Sequence, residues 1–590
     1  MSTLEITHPR PRLRRDRWTS LDGTWRFATD PDDRGLRDGW HRGDWNHDAV
    51  DITVPFAPQV EASGVTDFDG SAVVWYSRTI TRPDDAGADD LVWLHFGAVD
   101  HSCDVWIDGD HVAHHVGGST PFRAEVSRLL TEGEHELVVR VLDDPRHLDH
   151  LVGKQHWLGG DRSIWYVPTT GIWQPVWLEP VAVDHLTDLV VTPDVTTGTL
   201  DLEVVVAGGP GSVVEVTASF DGTELVWSAG RVDLDGRARL ALRLARQHAE
   251  LRGDDMIDAG GVKLWTPEHP NLYQLEVVVK RDGEVTDTVS SHAGMRSIEV
   301  IDGKLCLNKR PYEQRLVLDQ GYWARTGLTA PDAAALVRDV ELAKELGFNG
   351  ARKHQKIEDP RWLYAADVLG FLVWDELPAG YAFTPELVGE LTRDLQRLIA
   401  RDRSHPCVVA WVPMNESWGT NDLTDPRQQS LQRTLYDLAH ALDGTRPVIG
   451  NDGWELVASD IVTIHDYRNP QPIAEGYTDL DKANSQYPAR RRFVIGPDVH
   501  ADAPWLLTEF GGISLVEDEG WGYHSVNTPE QLLERVVELI EAIRSSGRWQ
   551  GYCYTQLTDV GTELNGLLTL EREHKLDAPT LKAMQTDTGF

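Results

Sequence analysis

The chain has 590 residues and a mass of 66.0 kDa, more than one hydrophobic core usually serves, so several domains are expected. Hydrophobic residues at 41% and charged residues at 25% exclude wholesale disorder. The formal net charge of −38 repels phosphate backbones and anionic headgroups, which argues against nucleic-acid and membrane partners.

From the start to about Pro180 the chain reads as short strands and turns. Leu21–Phe27 is a turn followed by alternation, Val73–Ile80 alternates around Trp75 and Tyr76, and Glu136–Leu142 is a further run. Val105–Ile107 and His111–Val112 flank Asp108-Gly109-Asp110, a strong hairpin signal. Residues 1–181 are therefore read as an N-terminal jelly-roll β-sandwich. Leu200–Val206, Val213–Phe220, Ala238–Leu244 and Gln274–Val279 continue the β pattern, and residues 182–300 are read as an immunoglobulin-like β-sandwich.

After about Ile301 strands alternate with helices. Expected strands are Tyr312–Leu318, Phe348–Arg352, Phe371–Trp374, Val408–Val412, Pro447–Gly450, Ile461–His465, Trp505–Thr508 and Gly551–Thr555. Expected helices include Pro331–Leu346, opened by Thr329 and Asp332 as a capping box, then Pro385–Arg401, Gln428–Leu442 and Pro529–Ile543. Eight such repeats make residues 301–590 a catalytic (β/α)8 TIM barrel.

Four scattered cysteines (Cys103, Cys306, Cys407, Cys553) form neither a disulfide framework nor a zinc motif. The arginines between Arg10 and Arg17 are not followed by an apolar segment, and no run of about 18 apolar residues occurs. The expectation is a cytoplasmic protein without signal peptide or membrane span. No phosphate loop, dinucleotide fingerprint or Gly-x-Ser-x-Gly elbow is found.

Barrel active sites lie at the C-terminal ends of the strands. There the fourth strand ends in Asn415-Glu416-Ser417-Trp418, and the seventh in Thr508-Glu509-Phe510-Gly511. Strands four and seven lie on roughly opposite sides of a barrel, so Glu416 and Glu509 can converge across a sugar-sized gap. Two converging carboxylates are the minimum equipment for glycoside hydrolysis, one ionised as nucleophile and one protonated as acid. The competing reading, solvated loop residues or helix caps, is weaker for the pair than for either alone.

The chain resembles glycoside hydrolase family two, the group of β-galactosidases, β-glucuronidases and β-mannosidases. The likeness rests on Leu21-Asp22-Gly23-Thr24-Trp25, Gly171-Ile172-Trp173-Gln174-Pro175-Val176-Trp177, Leu264-Trp265-Thr266-Pro267, Asn349-Gly350-Ala351-Arg352-Lys353-His354, Trp374-Asp375-Glu376, Asn415-Glu416-Ser417 and Thr508-Glu509-Phe510-Gly511. The resemblance implies Glu416 as acid/base, Glu509 as nucleophile and net retention. It also implies that Asn415 bonds the 2-hydroxyl and Arg352 holds the nucleophile ionised. His354, His465, Tyr467, Trp418 and Gln556 are further candidate sugar contacts. Asp375 and Glu376 are read either as hydroxyl ligands or as partners of Arg352. Lys154 and Trp157, on a loop of the first domain with Arg162 and Trp165, are candidates to close the mouth and make the enzyme exo-acting; packing on the domain interface is the alternative. Most tryptophans are assigned to sandwich cores, leaving Trp157, Trp374, Trp411, Trp418 and Trp505 near the pocket.

Gln556-Leu557-Thr558-Asp559 departs from the tryptophan platform of many relatives, and Asn565-Gly566-Leu567 lacks the Asn-x-Lys that grips a uronate in β-glucuronidases. A neutral oligosaccharide or glycoside substrate is therefore expected, with β-D-galactoside first and a β-D-galactofuranoside or α-L-arabinofuranoside second. A β-glucuronidase, a β-mannosidase or an inactive carbohydrate-binding protein stands behind these. No cofactor and no metal is called for, and a homo-oligomer is compatible with the sequence.

Overall fold

The computed structural model describes residues 4–43, 49–245, 261–486, 490–500, 502–515 and 520–586. The first domain is a jelly-roll sandwich of a six-stranded sheet around Val73–Thr81 and Glu134–Leu142 and a four-stranded sheet around Leu91–Phe96 and Val176–Val181. The hairpin forms as expected, Ser102–Ile107 with Asp110–Val116, around Asp108 (φ 51°) and Gly109 (φ 86°). Two successive left-handed residues match the right-handed twist of the flanking strands, which is why an Asp-Gly pair serves there. Trp25, Trp106, Trp173 and Trp177 are buried.

The second domain packs a three-stranded sheet on a four-stranded one, with alternate residues of Thr199–Val206 and Val213–Phe220 turned into one apolar core.

The C-terminal domain is the parallel barrel. Seven strands form one sheet in the spatial order fourth, third, second, first, eighth, seventh, sixth: Gln314–Asp319, Gly350–Lys353, Leu372–Glu376, Val408–Val412, Val462–His465, Trp505–Gly511 and Trp549–Thr555. The expected fifth strand is irregular. Residues 447–453 pair with the fourth strand only through Trp411–Val448 and Asn415–Asp452, and the His465 N–H donates to the Gly453 carbonyl at 3.3 Å on the other side. Every strand is buried because helices cover the outside.

The helices start where their caps stand. Asp332 is itself the N-cap of Ala333–Glu345, accepting from Ala335 N at 2.8 Å. The Thr329 hydroxyl instead donates to the Trp173 carbonyl at 2.7 Å, joining the barrel to the first domain, so the expected capping box does not form. Thr384 and Thr528 cap Pro385–Asp402 and Pro529–Ser545, each with proline at the first turn. Among the described residues no helix is long and apolar enough to cross a membrane.

Candidate active site

Arg352, at the end of the second barrel strand, is fully buried and organises the barrel mouth. Its Nε donates to Glu376 Oε2 at 2.6 Å and its Nη2 to Asn415 Oδ1 at 2.6 Å. Its Nη1 donates to Glu509 Oε1 at 2.9 Å and lies 2.6 Å from Asp452 Oδ2. A planar guanidinium with five fixed donors is the side chain able to serve so many acceptors at once.

Glu509 reaches this centre because the seventh strand is irregular. Its register shifts between Leu507 and Phe510, so consecutive side chains both turn inward: Thr508 Oγ1 donates to Asp452 Oδ1 at 2.8 Å, and Glu509 meets Arg352. A regular strand would send one of the two outward.

Glu416 stands just beyond the fourth strand in a left-handed turn, with φ 51° at Glu416 and 60° at Ser417. Such angles are costly for residues bearing a Cβ and persist where neighbours hold them. Here the Glu416 N–H donates to the Asp452 carbonyl and the Ser417 N–H to Asn451 Oδ1, both at 2.9 Å.

The two glutamates share a partner. His465 Nδ1 lies 2.7 Å from Glu416 Oε1 and 3.5 Å from Glu509 Oε2, and an oxygen of one carboxylate lies within 4.8 Å of an oxygen of the other. Its Nε2 faces Asp452 Oδ2 at 3.2 Å. Burial opposes charge on this ring, but Glu509 and Asp452 outweigh it and hold His465 up at about 10. Gly453, with φ 101°, makes room for it: a Cβ there would lie 2.6 Å from His465 Nδ1.

Burial would also raise Glu509, yet the charges of His465 and Arg352 outweigh it and hold this carboxyl below its ordinary range. Tyr467, stacked on Tyr523 with ring centroids 3.4 Å apart, donates to Glu509 Oε2 at 2.5 Å. Burial and the Glu509 charge keep that phenol protonated. His354 Nδ1 lies 3.1 Å from both Arg352 Nη2 and Glu376 Oε1. Burial and the neighbouring cations hold His354 far below its usual value, hence neutral. Beside this centre opens a cavity of about 740 Å³, lined by Glu416, Trp454, His465, Tyr467 and Tyr523 among others.

Because Glu509 is held low, the acid limb of kcat/KM is expected below pH 4.5, the ordinary glutamate value. Tyr467→Phe removes one hydrogen bond to the charged carboxylate, worth about 1.5–3 kcal/mol. The limb should move up and kcat fall by about 10- to 100-fold. A pH–rate profile identical to that of the parent would remove Tyr467 from this role.

The structure thus brings Arg352, His354, Asn415, Glu416, His465, Tyr467 and Glu509 together. It does not bring Asp375. Trp374 and Glu376 share one face of the third strand, so Asp375 turns outward, where burial and the adjacent Asp402 raise its pKa well above normal. Glu376, not Asp375, is the partner of Arg352. Gln556 is also committed elsewhere: it accepts from Gln320 Nε2 and donates to Asn565 Oδ1, both at 2.7 Å. Trp374, Trp411 and Trp505 are barrel core, with ring N–H groups of the first two given to Gln314 and Asp443.

Trp418 and Trp157 belong to an aromatic rim built by two domains. Trp157 meets Trp165 (centroids 5.1 Å) and Tyr381 (5.7 Å), while Trp418 meets Tyr381 (5.1 Å) and Trp165 (6.3 Å). Lys154 Nζ lies 5.2 Å above the Trp418 ring. Asp452 was not among the candidates read from the sequence. The strand-end rule points to it, since it follows Pro447–Gly450, but Asn-Asp-Gly at that point reads as an ordinary turn.

Three domain families match this chain: "Glycosyl hydrolases family 2, sugar binding domain" over residues 18–158, "Glycosyl hydrolases family 2" over 184–296, and "Glycosyl hydrolases family 2, TIM barrel domain" over 298–490. Glu509 lies beyond the last of these. A β-galactosidase of Thermoanaerobacter pseudethanolicus is 25% identical over 77% of this chain, and the match spans 60% of that protein's length. A β-glucuronidase of Paenibacillus borealis is 26% identical, covering 72% of both chains, and the mouse β-glucuronidase is 25% identical over 88% of this chain and 84% of its own. Among solved structures, the β-glucuronidase from Ruminococcus gnavus in complex with D-glucuronic acid superposes with a TM-score of 0.76 at 20% identity, covering 98% of this chain and 99% of its own. An uncultured Clostridium sp. β-glucuronidase gives the same figures. At that identity the structural likeness speaks for the fold. With all three successive domain types matched in order, the chain belongs to glycosyl hydrolases family 2.

Proposed function

We propose that the protein is a retaining, exo-acting glycoside hydrolase in which Glu509 is the nucleophile and Glu416 the acid/base. The observation that carries this reading is the carboxylate pair. One oxygen of each lies within 4.8 Å of the other, a closeness that suits the roughly 5–5.5 Å carboxyl spacing of retaining enzymes. Arg352 and His465 favour the ionised state of Glu509, which suits attack on the anomeric carbon. Glu416 then protonates the leaving oxygen, a glycosyl ester forms, and water deprotonated by Glu416 releases the sugar. Asn415 spends its Oδ1 on Arg352, which supports its Nδ2–H as the donor to a substrate hydroxyl.

For the glycone, the leading reading is a terminal β-D-galactoside. Asn565 is occupied by Gln556 and Glu563, Lys575 gives its ammonium to Asp559 and the Leu564 carbonyl, and Arg572 pairs with Asp339, so the 565–575 segment offers no free Lys or Arg to a uronate. One observation favours a β-D-glucuronide as second reading: Lys154 is only 9% exposed at the mouth and has no carboxylate within 4.0 Å among the described residues. The name β-glucuronidase recurs among the relatives.

A panel of nitrophenyl galactoside, glucuronide, mannoside and furanosides, with proton NMR of the first product, tests both levels. The expected outcome is a β-configured first product, with the galactoside ahead by about tenfold or more in kcat/KM. An α-configured first product would overturn the retaining reading. A leading glucuronide or furanoside would replace the glycone, and no turnover of any member would favour a carbohydrate-binding protein.

A further inference from the structure

A second cluster of ligand-type side chains lies away from the catalytic centre, between the first domain and the barrel. His101 stands between the strands Val99–Asp100 and Ser102–Ile107, His150 lies on the segment that leaves Glu134–Leu142, and Glu390 is in the helix Pro385–Asp402. One ligand atom from each lies within 4.8 Å of the other two. His147, Asp149 and His150 form an overlapping triple by the same measure.

What distinguishes this cluster is a buried histidine–carboxylate pair beside a second imidazole that makes no hydrogen bond among the described residues. The His101 side chain is 5% exposed, and its Nε2 pairs with Glu390 Oε1 at 3.0 Å. Nitrogen and oxygen are thus held side by side in a buried pocket, where a cation can take the place of the proton between them. Glu390 anchors itself through Oε2, which accepts from the Leu151 N–H at 3.2 Å, and turns Oε1 to His101. Among the described residues no hydrogen bond engages the His150 ring nitrogens; the ring stacks on His101 with centroids 3.7 Å apart and planes 7° apart.

The fully buried triad His292–Asp367–His405 differs. There each histidine nitrogen bonds Asp367 Oδ2, at 2.8 and 2.5 Å, so the group is satisfied by itself.

We propose that His101, His150 and Glu390 form a binding site for a divalent transition cation, zinc by ligand type. Two imidazoles and a carboxylate make a borderline set that suits Zn2+ and does not suit Mg2+, which demands oxygen ligands in octahedral array. Lone pairs lie in the imidazole planes, so binding turns the His150 ring out of its stack, a motion open to a half-buried side chain on a connecting segment. Asp149 and His147 stand ready as the fourth ligand or its outer partner. Arg393, whose Nη2 is 3.7 Å from Glu390 Oε1, gives its Nε to Asp394 Oδ1 at 3.3 Å and makes no hydrogen bond to Glu390. The ion would tie the helix Pro385–Asp402 to the segment that runs on into Lys154 and Trp157, where the Tyr381 N–H already bonds the Leu148 carbonyl at 2.6 Å.

The test uses the full chain, stripped with a chelator and dialysed against ZnCl2 or MgCl2. About one zinc per chain should be retained by elemental analysis, and the midpoint of thermal unfolding should rise with zinc and not with magnesium. Glu390→Gln and His150→Ala should each weaken zinc binding by at least about tenfold, the loss that follows even from an outer partner, while aryl-glycoside turnover without zinc stays within about twofold. Glu416, His465 and Glu509 also satisfy the distance criterion, so Glu416→Gln must leave the zinc content unchanged. Zinc retained by both His150→Ala and Glu390→Gln, lost in Glu416→Gln, or absent from the parent protein would overturn the site. Should His150→Ala fail to fold, Glu390→Gln, which keeps shape and loses charge, gives the same reading.

Discussion

Glu509→Gly should lower kcat on a nitrophenyl glycoside by about 10^5-fold, the scale of losing a covalent nucleophile. The variant should fold. Arg352 retains Glu376 and Asp452, so removing Glu509 strips one of three anions from a guanidinium and leaves no buried charge alone. The glycine also opens a small void beside the anomeric carbon, into which an added anion such as azide can enter. Azide should restore turnover and give the α-configured glycosyl azide, because attack comes from the face that Glu509 vacated. Steady-state kinetics with and without azide, with NMR of the product, reads this directly. Hydrolysis at the parental rate, or a β-configured azide, would remove Glu509 from the nucleophile's place.

Arg352→Leu carries the second large effect, on stability as well as rate. It leaves Glu376, Asp452 and Glu509 buried without their common cation, the situation in which breaking an ion pair costs about 3–5 kcal/mol. Urea unfolding at pH 7 should show a loss of that order. The linkage has a definite sign. Glu509 is held below its ordinary value, so its ionisation contributes stability above pH 4.5 and loses it as the pH falls. Without the guanidinium that contribution shrinks and the acid limb of kcat/KM moves upward. Arg352→Lys should rescue only part, since an ammonium offers three donors on one atom and cannot span Nε to Glu376 and both Nη atoms to their partners. Unchanged stability together with an unchanged pH profile would sink the account of Arg352 as the hub.

How far these residues were legible follows from how local their signals are. The barrel was readable because helix and strand periods alternate over short windows, and Glu416 and Glu509 because both follow apolar runs that could only be strand ends. Asp375 and Glu376 were separable in principle: residues two apart share a face, and counting from Trp374 puts Glu376 inside. Asp452 was hidden by the irregular fifth strand, whose pairing is too sparse to leave a period in the sequence. Thr329 looked like a cap because its hydroxyl can cap, and only the packed domains reveal that Trp173 claims it. The engagement of Gln556 was hidden for a related reason. Its partner Gln320 comes from the opposite end of the barrel sequence, a meeting that no local pattern announces.

The rim of Trp157, Trp165, Tyr381 and Trp418 has a consequence for how this molecule can be divided. Two of those rings belong to the segment that leaves the first sandwich, and two to the barrel. A barrel excised on its own would keep its carboxylates but only half of that aromatic rim, and the sandwich alone would hold the other half. On the proposed function, the two carboxylates and half of the aromatic rim therefore lie on different stretches of chain. If that function holds, exchange of the first sandwich between homologues should change which glycosides are turned over while Glu416 and Glu509 stay in place.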